Sequence, residues 1–119
     1  MNILEKDFKA KDILKQIFGF SSFRNGQEEI VKNIIDDKQT LAIMPTGAGK
    51  SLCYQIPAII SPKRTVVISP LISLIENQVA DLRENGVKVE KLHSNLSSEN
   101  RSTSWNNFKN GECKILYIS

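Results

Sequence analysis

No run of apolar residues in this chain approaches the roughly 20 that a membrane-spanning helix needs, the longest stretches being short pieces such as residues 41–44 and 58–60. The opening Met1-Asn2-Ile3-Leu4-Glu5-Lys6-Asp7 lacks the apolar core of a secretory leader. Nor is there a low-complexity tract, an internal repeat, or a Pro-, Gly- or Ser-rich stretch long enough to act as a linker. Cysteine is scarce: Cys53 and Cys113 are far apart, each in an apolar stretch, with no second Cys or His at metal-ligand spacing. These absences argue against a membrane partner, a disulfide-stapled secreted scaffold, a zinc module and a solenoid. They point to a cytoplasmic chain whose two thiols are small core residues in a reducing compartment.

What is present is ordinary for a soluble globular protein. The 119 residues are 40% hydrophobic and 24% charged, a length that fits one compact domain and a composition that argues against disorder and fibrous repeats. Sixteen Lys and Arg against thirteen Asp and Glu give a formal net charge of +3. That balance permits a nucleic-acid partner without requiring one.

Apolar periodicity orders the chain. From Asp12, the positions Ile13, Leu14, Ile17 and Phe18 recur at helical spacing, with Gly19 placed as a left-handed cap. Ile30, Val31, Ile34 and Ile35 mark one face of a second helix closed by Asp36-Asp37. Residues 40–44 form a short apolar run and predict a buried strand. Beyond it the pattern predicts a helix over 50–60, a β-branched strand over 65–69, and a helix striped by Leu71, Ile75, Val79 and Leu82 that ends at Gly86. A strand over 87–92, a polar helix over 97–109 anchored on the sheet by Trp105 and Phe108, and a strand over 113–118 complete it. Strands alternating with helices predict an α/β fold with a parallel sheet.

The expected strand at 40–44 runs directly into Pro45-Thr46-Gly47-Ala48-Gly49-Lys50-Ser51, where a helical pattern opens. A phosphate loop requires this context. Polyphosphate needs several backbone N–H groups converging on it, and small residues such as Gly47, Ala48 and Gly49 let the main chain wrap that closely. The following helix adds the positive end of its dipole. Lys50 places an ammonium on the outer phosphates, and Ser51 offers a hydroxyl to Mg²⁺. Met44 stands where the usual Gly-x-x-x-x-Gly-Lys-Ser/Thr pattern has its first glycine. The plain alternative, a glycine-rich turn with a surface lysine, is opposed by the elements on either side.

Residues 44–57 (MPTGAGKSLCYQIP), residues 69–74 (SPLISL) with Asn77-Gln78-Val79, and Phe18-Gly19 with Phe23-Arg24-x-Gly26-Gln27 together resemble the opening of a RecQ-family ATP-dependent DNA helicase of superfamily 2, over nearly the whole chain. The resemblance implies an incomplete P-loop NTPase (RecA-like) domain, a parallel sheet flanked by helices and preceded by N-terminal helices. Residues 1–37 would carry the adenine-recognition motif, and residues 38–119 the phosphate-loop core as far as the segment ahead of the Asp-Glu box. It further implies the ATP-binding portion of a 3′–5′ helicase that couples ATP hydrolysis to DNA unwinding in a full-length parent, in DNA repair and recombination. ATP and Mg²⁺ would be its cofactors. DNA, single-stranded or duplex with a single-stranded tail, and the remaining helicase domains would be its partners.

Carried over residue by residue, the resemblance makes Gln27 the reader of the adenine edge, with Phe20 and Arg24 flanking the ring. Thr46, Gly47, Ala48, Gly49, Lys50 and Ser51 become the phosphate cradle, with Lys50 catalytic and Ser51 on the metal. Ser69, Pro70 and Ser73 become contacts to DNA phosphates. The chemistry agrees: an amide can donate to and accept from one base edge, a guanidinium or phenyl can stack on a base, and a helix N-terminus suits a phosphate. Taken alone, Gln27 also reads as a first-turn helix residue, Arg24 as a solvated loop charge, and the Ser69–Ser73 junction as a local cap. His93 and Ser94 fall where the family has a further loop facing DNA, although a lone His after a strand also suits a satisfied core position. Ala48 and Asn25 depart from the family's commoner glycine and proline.

Hydrolysis also needs a carboxylate to hold Mg²⁺ and a cation for the transition state. The late acidic residues Glu99 and Glu112 do not lie at the end of an apolar strand beside the loop. The expectation is therefore a piece that binds nucleotide without turning it over, with the 40–44 segment deprived of its central neighbours and the polypeptide marginally stable or self-associating. A different P-loop protein, such as a nucleotide kinase or GTPase-like switch, is disfavoured by Gln27 and the SPLISL segment. A naturally short P-loop binding or regulatory module remains the alternative.

Overall fold

The computed structural model describes residues 3–45, 47 and 49–119. They divide into two compact units, Met1–Pro62 and Lys63–Ser119.

The first unit is helical. α1 (Ile3–Gln16), α2 (Gln27–Ile35) and α3 (Lys50–Ile60) pack around Ala10, Ile13, Leu14, Val31, Ile56 and Ile60. The first helix starts well before Asp12, because Ala10 lies one turn ahead of Ile13 and Leu14 on the same buried face. It also ends before Ile17 and Phe18, which the sequence pattern counted as helical. Gly19 turns the chain at φ 76°, its N–H donating to Lys15 O at 3.1 Å, and thereby satisfies a carbonyl that the last turn leaves open. α2 closes at Asp36 and α3 spans residues 50–60, both as the periodicity predicts.

The strand expected over residues 40–44 is not formed. That segment has no regular secondary structure, and Leu41 and Ile43 are 89% and 90% exposed. A strand is held by ladder hydrogen bonds to a neighbour, and the described residues of this unit contain no other strand.

The second unit carries the sheet: β1 (Thr65–Ile68), α4 (Ile72–Glu84), β2 (Val89–Leu92), α5 (Ser98–Lys109) and β3 (Ile115–Ile118). All pairing is parallel and the strand order is β1-β3-β2, with Thr65 and Val89 both opposite Ile115. The α/β class with a helix-flanked parallel sheet is thus the one the alternation predicts, with three strands among the described residues rather than four. Ile75, Val79 and Leu82 of α4 are buried, whereas Leu71 lies outside the helix as its exposed N-cap residue. Phe108 is buried with Cys113 and Leu116, but Trp105 is 50% exposed. Its ring tilts against Phe108 at a centroid distance of 6.3 Å instead of packing into the sheet. Both cysteines are buried free thiols, and burial pushes each thiol's pKa upward.

Candidate nucleotide-binding site

The first unit assembles its candidate site at the N-terminus of α3. Gly49 precedes that helix at φ 76°, a left-handed conformation that costs a side-chain-bearing residue about 1–2 kcal/mol. No side chain caps the helix, so its first-turn N–H groups are turned toward whatever lies at that end. Lys50 is its first residue and is exposed, and Ser51 follows, half-buried. Thr46 and Ala48, expected in the same cradle, lie outside the described residues.

Gly26, at φ 85°, admits the chain to α2 and puts Gln27 in the first helical position. Gln27 is only 2% exposed, and its amide is engaged at both ends. Oε1 accepts from the Arg24 backbone N–H at 2.8 Å, and Nε2 donates to Gly49 O at 3.1 Å. Arg24 reaches the same loop with its guanidinium, Nη1 donating to Gly47 O at 2.8 Å. A side chain on Gly49 would collide with Gln27 Nε2. Between these groups lies a cavity of about 300 Å³, at the small end of the range for ligand pockets. Phe20, Ser22, Arg24 and Gln27 line one side and Gly47, Gly49 and Leu52 the other. Phe20, Arg24, Gln27, Gly47 and Gly49, separated by up to 29 positions, are therefore brought together.

In the second unit Ser69, Pro70 and Ser73 sit at the junction from β1 to α4. The Ser69 N–H donates to Ile118 O at 3.0 Å, and its Oγ accepts from the Leu71 N–H at 3.4 Å. Pro70 and Ser73 are exposed, and no side chain caps the first turn of α4. A larger hollow of about 450 Å³ beside Arg83, Lys88 and Glu112 lies at the other end of the parallel strands. Its arginine is committed to the fold, donating twice to Val89 O and pairing with Glu90.

Sequence reasoning missed one polar constellation. His93, 5% exposed, approaches Glu76 Oε1 with Nε2 at 2.6 Å, and Lys91 Nζ lies 2.5 Å from Oε2 of the same carboxylate. Hydrogen bonds from Lys91 and then from His93 hold the Glu76 carboxyl below the usual carboxylate range. Lys91 lies in β2 and His93 one residue past its end, a period-2 spacing visible in the sequence; their partner on α4 could not have been read from any local pattern. Among the described residues no group of three or more His, Cys, Asp or Glu could hold a metal, and no helix is long and apolar enough to cross a membrane.

Comparison with known proteins identifies the family. The chain is 44% identical over 117 residues to the ATP-dependent DNA helicase RecQ of Haemophilus influenzae, covering 98% of this chain and 19% of that protein. It is 42% identical over 112 residues to the ATP-dependent DNA helicase RecQ of Bacillus subtilis, covering 93% and 19%. Against the ATP-dependent DNA helicase Q5 of Rattus norvegicus it is 40% identical over 119 residues, covering 97% and 12%. The chain thus spans a fifth or less of the length of these curated relatives. Residues 24–119, which begin at the arginine that grips Gly47, match the family model described as DEAD/DEAH box helicase. A match over most of the chain settles the membership: the chain belongs to the DEAD/DEAH box helicase family.

Proposed function

We propose that these residues are the ATP-binding portion of the first RecA-like domain of a RecQ-type, 3′–5′ DNA helicase, which couples ATP hydrolysis to DNA unwinding in the full-length protein. Residues 1–37 supply the base side and residues 38–119 the phosphate loop and the start of the sheet. The adenine enters the cavity beside Phe20 and Arg24, and its edge meets the Gln27 amide, which can donate and accept at once. Gly47, Gly49, Lys50 and Ser51 receive the phosphates, with Lys50 as the charge on the outer ones. Thr46 and Ala48 belong to the same proposed cradle. Mg²⁺ would be held by the hydroxyl of Ser51, the second residue of α3. Its remaining ligands would be phosphate oxygens and water, as is usual for this ion.

Ser69, Pro70 and Ser73 would meet the phosphates of DNA at the open N-terminus of α4. The partners are then ATP, DNA with a single-stranded portion and the remaining helicase domains, in the cytoplasm and without a membrane. The observation that carries this reading is the convergence of Arg24 and Gln27 on the carbonyls of Gly47 and Gly49 around one cavity. The test is a melting experiment. ATP with Mg²⁺ should raise the melting temperature, because a ligand bound only by the folded state stabilises it, and Lys50→Ala should abolish the rise. A cooperatively melting protein with no response to ATP would overturn the reading.

A further inference from the structure

Resting on that reading, we infer that Arg24 and Gln27 are positioning residues for the phosphate loop, which they aim before any base is bound. The observation is one of direction. Both side chains hold carbonyl oxygens, those of Gly47 and Gly49. In a trans peptide the C=O and the N–H that follows it point opposite ways, and the described chain has no cis peptide. Holding Gly49 O against Gln27 Nε2 therefore turns the Lys50 N–H away from the base side, toward the end of α3 where a phosphate would lie. The Arg24 guanidinium holds Gly47 O in the same loop at 2.8 Å.

Such a hold matters because both glycines occupy left-handed conformations, at φ 84° and 76°, and glycine surrenders more freedom on ordering than any other residue. Without the two hydrogen bonds the loop would have to be ordered by the phosphates at the moment of binding. The fit is close: Gln27 is buried, and a side chain at Gly49 would displace its amide. Its Oε1 takes the Arg24 N–H, so the two positioning residues also fix one another.

This differs from base reading alone in a measurable way. If Arg24 and Gln27 only read adenine, a ligand without a base is indifferent to them. If they aim the loop, Mg²⁺-tripolyphosphate feels their loss although neither side chain need touch it. The experiment titrates the whole 119-residue chain with Mg²⁺-tripolyphosphate and, in parallel, with Mg²⁺-ATP. Gln27→Met, which changes no charge, should weaken tripolyphosphate by about three- to tenfold, the loss expected for one hydrogen bond. Because Gln27 is buried, cooperative melting of that variant is checked first. If it does not melt cooperatively, Arg24→Gln at an exposed position decides, read at low and high salt: a hydrogen-bonded hold keeps its effect in salt, whereas simple loss of a surface charge is screened away. Tripolyphosphate affinity unchanged in the deciding variant while ATP weakens would overturn the inference and leave base reading standing. Failure of the unaltered chain to bind either ligand would overturn the nucleotide reading, and this inference with it.

Discussion

His93 Nε2 lies 2.6 Å from Glu76 Oε1, a contact that ties the carboxyl end of β2 to the second turn of α4. The carboxylate can only accept, so Nε2 carries the hydrogen, and the buried Nδ1 has no partner among the described residues. Lys91 on the same carboxylate makes Glu76 the hub of the cluster.

Acid should loosen this hub. The Glu76 pKa is depressed in the folded state, so its contribution is complete above the ordinary carboxylate pKa of 4.5 and is lost as pH falls through the lower folded value. Glu76→Gln should therefore lower stability by about 1 kcal/mol at neutral pH, since the carboxylate is partly exposed. The difference from the unaltered protein should shrink below about pH 4.5. A melting difference that stays constant down to pH 3 would contradict this assignment.

Gly49→Ala should cost roughly 1–3 kcal/mol, combining a left-handed alanine with displacement of the Gln27 amide. In a Gln27→Ala background the collision disappears and only the backbone strain remains. The two substitutions should therefore be less than additive, and strict additivity in thermal melts would show that the side chains do not meet.

Base choice is read by comparing ATP with GTP. Loss of the paired amide in Gln27→Ala should narrow the preference for ATP by about 1–3 kcal/mol. An unchanged ratio of the two affinities would return Gln27 to a purely structural role.

Turnover is a separate matter from binding. The 119 residues should show no DNA-stimulated ATPase above a Lys50→Ala control, because hydrolysis needs carboxylate help in holding Mg²⁺ and no group of three or more His, Cys, Asp or Glu among the described residues could hold a metal. Phosphate release that disappears in Lys50→Ala would show that Glu99, Glu112 or a neighbouring chain supplies the group.

Association should follow exposed apolar surface. Leu41 and Ile43 protrude from the irregular segment, and Val66 and Ile68 from the edge strand β1, a combination that invites pairing with other chains. Ile43→Glu with Ile68→Lys should shift the protein toward monomer in size-exclusion chromatography. An identical elution profile for both proteins would place the sticky surface elsewhere.

Local pattern revealed most of the fold. α3 spans the residues its periodicity marks because a glycine and an extended serine bracket it, and the β-branched run 65–68 pairs as a strand. Residues 40–44 have an equally apolar pattern but no partner in their unit, and pairing is not written in a single segment. Trp105 shows the same gap on a helix, since residue type signals burial but the half-exposed ring leans on Phe108. Of the site, the loop and the Arg24-Gln27 pair were legible as motifs. Their grip on Gly47 and Gly49 was not, because side-chain direction across 22 or 23 positions depends on how α2 and α3 pack.

The strand order β1-β3-β2 also sets a timetable. Among the described residues β1 and β2 do not pair with each other, and each pairs only with β3, the last of the three to be synthesised. At roughly 5–20 residues per second, a ribosome adds the stretch between Ile68 and Ile118 in about 3 to 10 seconds. During that interval the nascent β1, with Val66 and Ile68, waits without its ladder. Folding of this sheet is consequently a single late event, closed by the arrival of one four-residue segment between two strands already made.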